Sequence, residues 1–348
     1  MVTLKDIAQK VDRSVTTVSR ALAGCPDVSK ETIRIVREAA QAMGYVPNIM
    51  AQRLQKQSSD TIGVVAPVSS KGYAEPFFCE FLAGIGEQAA QFGYDLLVAY
   101  AHDHNEMGIY RKLVSGRKVD GFILSRTLVD DPRAHYLHSI GFPFAAFGRI
   151  DGMQDYPYVE EDGEYAMELV AEHLVSRGHT RIACICPPQS VLYSKVRLEG
   201  LRKGLEARGI RLDPDMIGMG AFDQEDGYAH ACKLLEHPNP PTAIVGFNDL
   251  IAFGAINAGK DHGLRIGSDL AVTGFDDIPM AAMYRPPLTT IRQPIKEIGQ
   301  MVTSSLIDTI QEKYSKTTRQ ESAAESRQDT VSHRQLLLRP NLVVRNST

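Results

Sequence analysis

No apolar run in the 348-residue chain approaches the roughly 18 residues that a membrane span requires. The first residues show no basic stretch leading into an apolar core, so no secretory leader is expected and the expected location is the cytoplasm. Cysteines are few: five, an odd number and widely spaced, which argues against a disulfide framework and fits a reducing compartment. Cys184 and Cys186 stand two apart in a strand-like run and face the same side, but no companion Cys/His pair follows at zinc-site spacing. His102 and His104 read as a polar loop pair. Neither a metal nor a cofactor is expected. No G-x-G-x-x-G follows a strand, and neither a P-loop nor a G-x-S-x-G elbow occurs, so an enzyme reading has no residues to stand on.

What is present begins at the N-terminus. Leu4, Ile7, Ala8 and Val11 fall at helical spacing, with Thr3 and Asp6 forming a capping-box-like start. Ser14 is the expected N-cap of a second helix along Val15, Val18 and Leu22. Ser29 opens a third, where Ile33, Val36, Ala40 and Met43 recur at three- and four-residue steps until Gly44 stops it. Each is too short to stand alone, so the three must share one small core. The second helix exposes Thr16, Thr17, Ser19 and Arg20, all able to bond phosphates or base edges. Charge follows the same division. Residues 1–60 hold 9 Lys+Arg against 6 Asp+Glu, a net of +3, and the remainder 29 against 36, a net of −7. A slightly basic arm on an acidic body suits a protein with one end on phosphate.

The run Val15-Thr16-Thr17-Val18-Ser19-Arg20-Ala21-Leu22, with the later Pro47-Asn48-Ile49-Met50-Ala51-Gln52-Arg53-Leu54, resembles the lactose-repressor (LacI/GalR) family of bacterial transcription factors in wording and spacing. Two positions depart from the pattern. The turn between the first helices, usually Ala-Gly-Val-Ser, is Val11-Asp12-Arg13-Ser14, and Asp tolerates the left-handed backbone better than most residues. Ala23 stands where a polar Asn is common. The resemblance implies base contacts by Val15, Thr16 and Arg20, and phosphate contacts by Thr3, Leu4, Ser14, Thr17, Ser19, Ser29, Thr32, Tyr45 and Asn48. It also implies a hinge helix over Ile49–Leu54 that folds on DNA beside its dimer mate. There Leu54 would wedge a base step open in the minor groove, with Ala51 allowing close helix approach.

Beyond Thr61, apolar strand-like runs alternate with helices: Ile62–Ala66, Leu96–Tyr100, Gly121–Leu124, Phe144–Phe147, Ile182–Cys186, Ala243–Gly246 and Leu270–Gly274. Helices ending in Gly plus a hydrophobic residue recur at Gly93-Tyr94, Gly141-Phe142, Gly209-Ile210 and Gly263-Leu264. This alternation implies parallel sheets with right-handed crossovers. Together with this alternation, the family resemblance implies a small all-α helix-turn-helix domain plus an α/β body of the periplasmic-binding-protein type I, two Rossmann-like subdomains between which the chain crosses three times. Residues 1–46 form the DNA-binding domain, 47–60 the hinge helix and linker, and 61–348 the body for effector binding and dimerisation. Subdomain 1 takes about 61–160 plus 292–324, and subdomain 2 about 161–291 plus 325–348, with crossings near 161, 290 and 325. Residues 313–333 are polar and read as an extended surface loop before a last strand, Leu336–Val344.

Ligands of such sheets bind outside the carboxyl ends of strands. Phe247-Asn248-Asp249, Phe275-Asp276-Asp277 and Arg197-Leu198-Glu199-Gly200 resemble the family's Ala-Asn-Asp, Tyr-Asp-Asp and Arg-xx-Gly elements. The resemblance places Arg197, Asn248 and Asp276 on the effector. Their chemistry suits a neutral polyol, for which an aromatic such as Phe222 would cover an apolar sugar face. Ser125 and Arg149, at the ends of two strands in the first half, would supply the facing wall, although many sugar-binding relatives have Asp where Arg149 stands. Asn248 and Asp276 are also placed to cap the helices that follow them. The function implied is a homodimeric repressor of carbohydrate-utilisation genes, bound to a near-palindromic double-stranded operator and controlled by a small sugar. Leu124-Ser125-Arg126-Thr127, Asp131-Pro132-Arg133 and Gly148-Arg149 look like a subgroup of regulators for α-glucosides. A purine or other non-sugar effector stays open, as does a transport-type sugar-binding module sharing the body fold, which leaves the helix-turn-helix unexplained.

Overall fold

The computed structural model describes residues 2–25, 27–45, 58–67, 76–101, 105–318 and 335–348. It divides into two units, Met1–Ser59 and Asp60–Thr348.

The first unit holds α1 (Leu4–Val11), α2 (Val15–Leu22) and α3 (Lys30–Ala42). Its core is small: Ile7, Ala8, Val18, Ala21, Val36 and Ala40 are buried, with Leu4, Val11, Leu22, Ile33, Met43 and Tyr45 packed around them. Each helix starts on an oxygen-bearing side chain. Thr3 and Asp6 make a reciprocal capping box, Ser14 accepts from the Thr17 N–H, and Ser29 accepts from the Thr32 N–H. The turn after α1 needs a left-handed residue, and Asp12 supplies it at φ 50°.

The body contains two six-stranded sheets. Five parallel pairings join the first, ordered β11-β5-β4-β3-β1-β2. Its strands are β1 (Thr61–Pro67), β2 (Asp95–Ala101), β3 (Gly121–Leu124), β4 (Phe144–Phe147), β5 (Tyr158–Glu161) and β11 (Gln335–Leu338). The second, ordered β12-β10-β9-β8-β6-β7, is parallel except for β12. It is built from β6 (Ile182–Cys186), β7 (Ile217–Met219), β8 (Ala243–Gly246), β9 (Ala271–Asp276), β10 (Thr289–Arg292) and β12 (Asn341–Val343). Each sheet is buried on both faces, giving four apolar clusters in the body. On one face of the first sheet Val64, Ile123 and Ala145 meet Ile298, Val302 and Leu306 of the long helix Ile295–Thr318.

Three expectations need correction. Helix Ile295–Thr318 carries residues 313–318, expected in a loop; the remainder of that stretch lies outside the described residues. The single last strand is two, broken at Arg339-Pro340 because proline offers no N–H to a ladder. The first of these, β11, pairs with β5 in the first sheet (Leu336↔Val159). The last crossing between sheets therefore falls at residues 339–340 rather than near 325, and 335–338 belong with the first half.

Candidate functional site

In the first unit the expected base readers lie on the open side of α2. Val15 is 40% exposed, and Thr16 and Arg20 are exposed. Arg20 is engaged within the unit: its Nη2 lies 2.6 Å from the Asp27 carboxylate, with both side chains about half in solvent. A pair so exposed contributes little, about 0–1 kcal/mol, and can open. The hydroxyls expected on phosphates are already capping. Ser14 Oγ sits 2.8 Å from Thr17 Oγ1, and Ser29 Oγ 2.8 Å from Thr32 Oγ1. Three helix N-termini thus carry ordered caps, an arrangement that favours anions nearby. Ser19 is half-buried, the Leu4 and Tyr45 side chains pack on the core, and the Tyr45 N–H already donates to the Ala40 carbonyl at 2.9 Å. Asn48, Ala51 and Leu54 lie outside the described residues, as do His102 and His104.

In the body, the strand ends of the two sheets meet. Arg197, on the helix Leu192–Glu206, is only 4% exposed. Its Nη2 donates to Glu161 Oε1 at 2.6 Å and its Nη1 to the Phe247 carbonyl at 2.7 Å, while the guanidinium lies 3.4 Å over the Phe275 ring. The Arg-xx-Gly spacing has a packing reason. A Cβ on Gly200 would fall 2.6 Å from Glu164 Cα, so only glycine lets this helix press against Gly163–Ser176 and bring Arg197 to Glu161. Asn248 does cap the helix Asp249–Asp261: its Oδ1 accepts from the Ile251 N–H, while its Nδ2 donates to the Phe222 carbonyl at 2.9 Å. Asp276 ends β9 at φ 112° and accepts from Gln293 Nε2 at 2.7 Å. Contrary to the expectation from sequence, it does not cap the helix that follows: the helix Pro279–Met283 starts at Ile278, without a side-chain cap.

The facing wall comes from the first sheet. Ser125 follows β3 and is buried, its carbonyl accepting from Arg133 Nη2. Arg133 pairs with Asp131 at 2.7 Å and Glu106 at 3.0 Å. Burial pushes the Asp131 carboxyl up, but hydrogen bonds and charge from Arg133 outweigh it and hold the group below its ordinary value. Arg149 lies 3.5 Å from Glu160, which is buried on β5. That burial, opposed by Arg149 and reinforced by Glu161 and Asp162, pushes the Glu160 carboxyl up to about 7.

The six expected effector residues are linked into one set, directly only between Asn248 and Phe222 and otherwise through their chain neighbours. Arg197 touches the residues preceding Asn248 and Asp276, Asn248 holds Phe222, Arg126 beside Ser125 reaches the Phe222 ring, and Arg149 pairs with the neighbour of Glu161. Three residues of this set escaped the sequence reading: Glu160, Glu161 and Gln293. Glu160-Glu161 was the visible signal, two acids ending an otherwise apolar run. Gln293 carried none. It is 4% exposed, and its Oε1, like Arg197 Nε, has no hydrogen-bond partner among the described residues.

Comparison with known proteins decides the family. Residues 3–48 match the bacterial regulatory proteins of the lacI family, and residues 59–335 match the periplasmic binding proteins and sugar binding domain of LacI family. The chain belongs to the LacI family. It is 35% identical over 310 residues, 88% of this chain and 87% of its relative, to the HTH-type transcriptional regulator AglR of Rhizobium meliloti (strain 1021). Among solved structures, the lac repressor dimer bound to operator and the anti-inducer ONPF superposes with a TM-score of 0.81 at 28% identity, covering 100% of this chain and 99% of that one. A transcriptional regulator CelR–cellobiose complex gives 0.73 at 28% identity, with 100% of both chains covered. This LacI-family chain is a DNA-binding transcriptional regulator, as the helix-turn-helix and two-sheet body together imply. No described helix is long and apolar enough to cross a membrane.

Proposed function

We propose that the chain is a homodimeric operator-binding repressor of carbohydrate-utilisation genes, tuned by a small neutral sugar held between the two halves of the body. One observation carries this reading: two unpartnered polar atoms, Arg197 Nε and Gln293 Oε1, are buried beside Asp276 where the halves meet. Buried polar atoms in native proteins are nearly all hydrogen-bonded, so a donor and an acceptor left without partners among the described residues, one on Asp276's hydrogen-bond partner and one on the arginine stacked on Phe275, mark places for a polar ligand. Sugar hydroxyls both donate and accept, which suits an Arg, an amide and a carboxylate in one wall. Phe222 supplies the apolar face, and Ser125 and Arg149 the opposite side. The cellobiose complex of a related regulator and the family's sugar-binding domain support the same ligand class. The Leu124-Ser125-Arg126-Thr127 run favours an α-glucoside within that class.

On DNA, Val15, Thr16 and Arg20 read bases, and the hinge segment Ile49–Leu54, with Ala51 and Leu54, pairs with its dimer mate in the minor groove. Ligand in the cleft and operator in the groove are coupled by a free energy of roughly 1–3 kcal/mol. A thermal-shift screen against mono- and disaccharides and purines tests the ligand class, since a ligand selective for the native state raises the melting point. Operator affinity with and without the hit then tests the coupling. Asp276→Ala should bind operator and lose the response, whereas Leu54→Ala should weaken specific binding and keep ligand affinity. An Asp276→Ala protein that still responds fully would show that the cleft residues are misassigned.

A further inference from the structure

We propose that Arg126 and Phe222 form a latch across the mouth of the effector cleft, with Arg126 setting how long a bound sugar stays. The proposal deepens the carbohydrate reading above and rests on it for the identity of the occupant. Arg126 follows β3 in the first sheet, and Phe222 follows β7, the edge strand of the second. The Arg126 guanidinium nevertheless lies 5.2 Å from the centre of the Phe222 ring, so the contact spans the halves. Cation–aromatic attraction at this distance is favourable and strengthens as water is removed.

Both ends of the latch are held from behind. Arg126 stands at φ 52°, a left-handed backbone that arginine seldom adopts. The strain is met by Arg133, whose Nη2 donates to the Ser125 carbonyl at 3.2 Å and to the Arg126 carbonyl at 3.0 Å. Arg133 is itself clamped by the buried Asp131. Strained backbone persists only where its surroundings over-determine it, and such positions cluster at ligand clamps. On the other side, the Phe222 N–H donates to Asp226 Oδ2 at 3.0 Å and its carbonyl accepts from Asn248 Nδ2. The Asn248 amide thus ties the Phe222 backbone, from which the ring projects, to the effector wall.

Beside the latch the halves already share backbone hydrogen bonds. The Val129 N–H donates to the Ser190 carbonyl at 2.9 Å and the Leu192 N–H to the Thr127 carbonyl at 3.0 Å, forming an isolated antiparallel bridge between Leu128 and Val191. Lys195 adds an ion pair to Asp151 at 3.0 Å. This clasp sets the distance between the halves, and Arg126, next to it in sequence, reaches across at the point where a sugar would leave Phe222. A closed cleft gains the cation–aromatic contact and an open one loses it.

The test is a double-mutant cycle on the full chain with wild type, Arg126→Ala, Phe222→Leu and the combined variant. Melting without sugar reads the latch alone: the combined variant should lose clearly less than the two single losses added together. Maltose, sucrose, trehalose and cellobiose are then measured for dissociation constant and release rate. For any that binds wild type, Arg126→Ala should release it about 3- to 20-fold faster, with the association rate changed less. Arg126→Gly should behave alike, because glycine accepts the left-handed backbone and only the side chain is lost. Strictly additive melting losses, or an unchanged release rate in Arg126→Ala, would overturn the latch. If none of the four sugars binds wild type, the carbohydrate reading suffers and the melting cycle still decides whether the halves are latched.

Discussion

Arg20 with Asp27 and Arg197 with Glu161 are ion pairs of the same length, 2.6 Å, in opposite surroundings. In the first unit both partners are about half exposed; in the body the side chains are 5% and 6% exposed. Water screens the first pair so well that opening it costs almost nothing. The second has lost its hydration, and each charge is tolerable only while the other is present. A helix that must meet DNA needs side chains free to change partners. A cleft that must recognise a small molecule needs them held still.

The largest effect should follow from breaking the buried pair. Glu161→Ala leaves Arg197 charged and uncompensated beside Phe275, and should destabilise the body by about 3–5 kcal/mol in urea unfolding. A loss below 1 kcal/mol would mean that water reaches the pair and the contrast with Arg20 is false.

Glu160 sharpens the same contrast through pH. Its carboxyl titrates near 4.5 when unfolded and is pushed up to about 7 by burial in the folded chain. Its contribution is fully present below about 4.5 and is lost as pH rises through about 7, an amount of roughly 3 kcal/mol. Glu160→Gln should therefore be more stable than wild type at pH 8 and flatten the melting temperature between pH 5 and pH 8. An unchanged pH profile would place the carboxylate in water.

Arg20→Ala should leave the melting temperature nearly unchanged. It should lower operator affinity by about 1–3 kcal/mol per half-site and relax preference at one base position. Binding-site selection that returned the same ranking for mutant and wild type would remove Arg20 from base reading. Within the same unit, Ser14→Ala should cost about 1 kcal/mol of stability through the lost cap on α2. Asp27→Asn, which only frees Arg20, should cost less than about 1 kcal/mol. Equal losses in the two would mean that the Arg20–Asp27 pair holds the unit together as a cap does.

Much of this was legible in the residues because it is local. A cap needs an oxygen at one position and an N–H three residues on, so Thr3, Ser14 and Ser29 announced the helices they start. Strands buried on both faces read as apolar runs, which is why β3, β4, β6 and β8 stood out. Strands β5 and β10 did not stand out, because their buried positions are polar: Glu160 and Glu161 in one, Thr289 and Thr290 in the other. Those groups are satisfied by partners far along the chain. Thr290 donates to Asp249, and the Thr289 N–H donates to Ser347 Oγ at 2.8 Å.

The local order of residues thus determined the three short helices, the alternation of strand and helix, and the residue types waiting at the strand ends. Only the tertiary structure decided that Arg197 is neutralised by Glu161, that the Asn248 amide holds Phe222, that β11 returns to the first sheet, and that Arg126 reaches the opposite half. Each of these joins residues more than two positions apart by an interaction whose strength depends on removal from water, and burial is a property of the assembled core rather than of any stretch of chain.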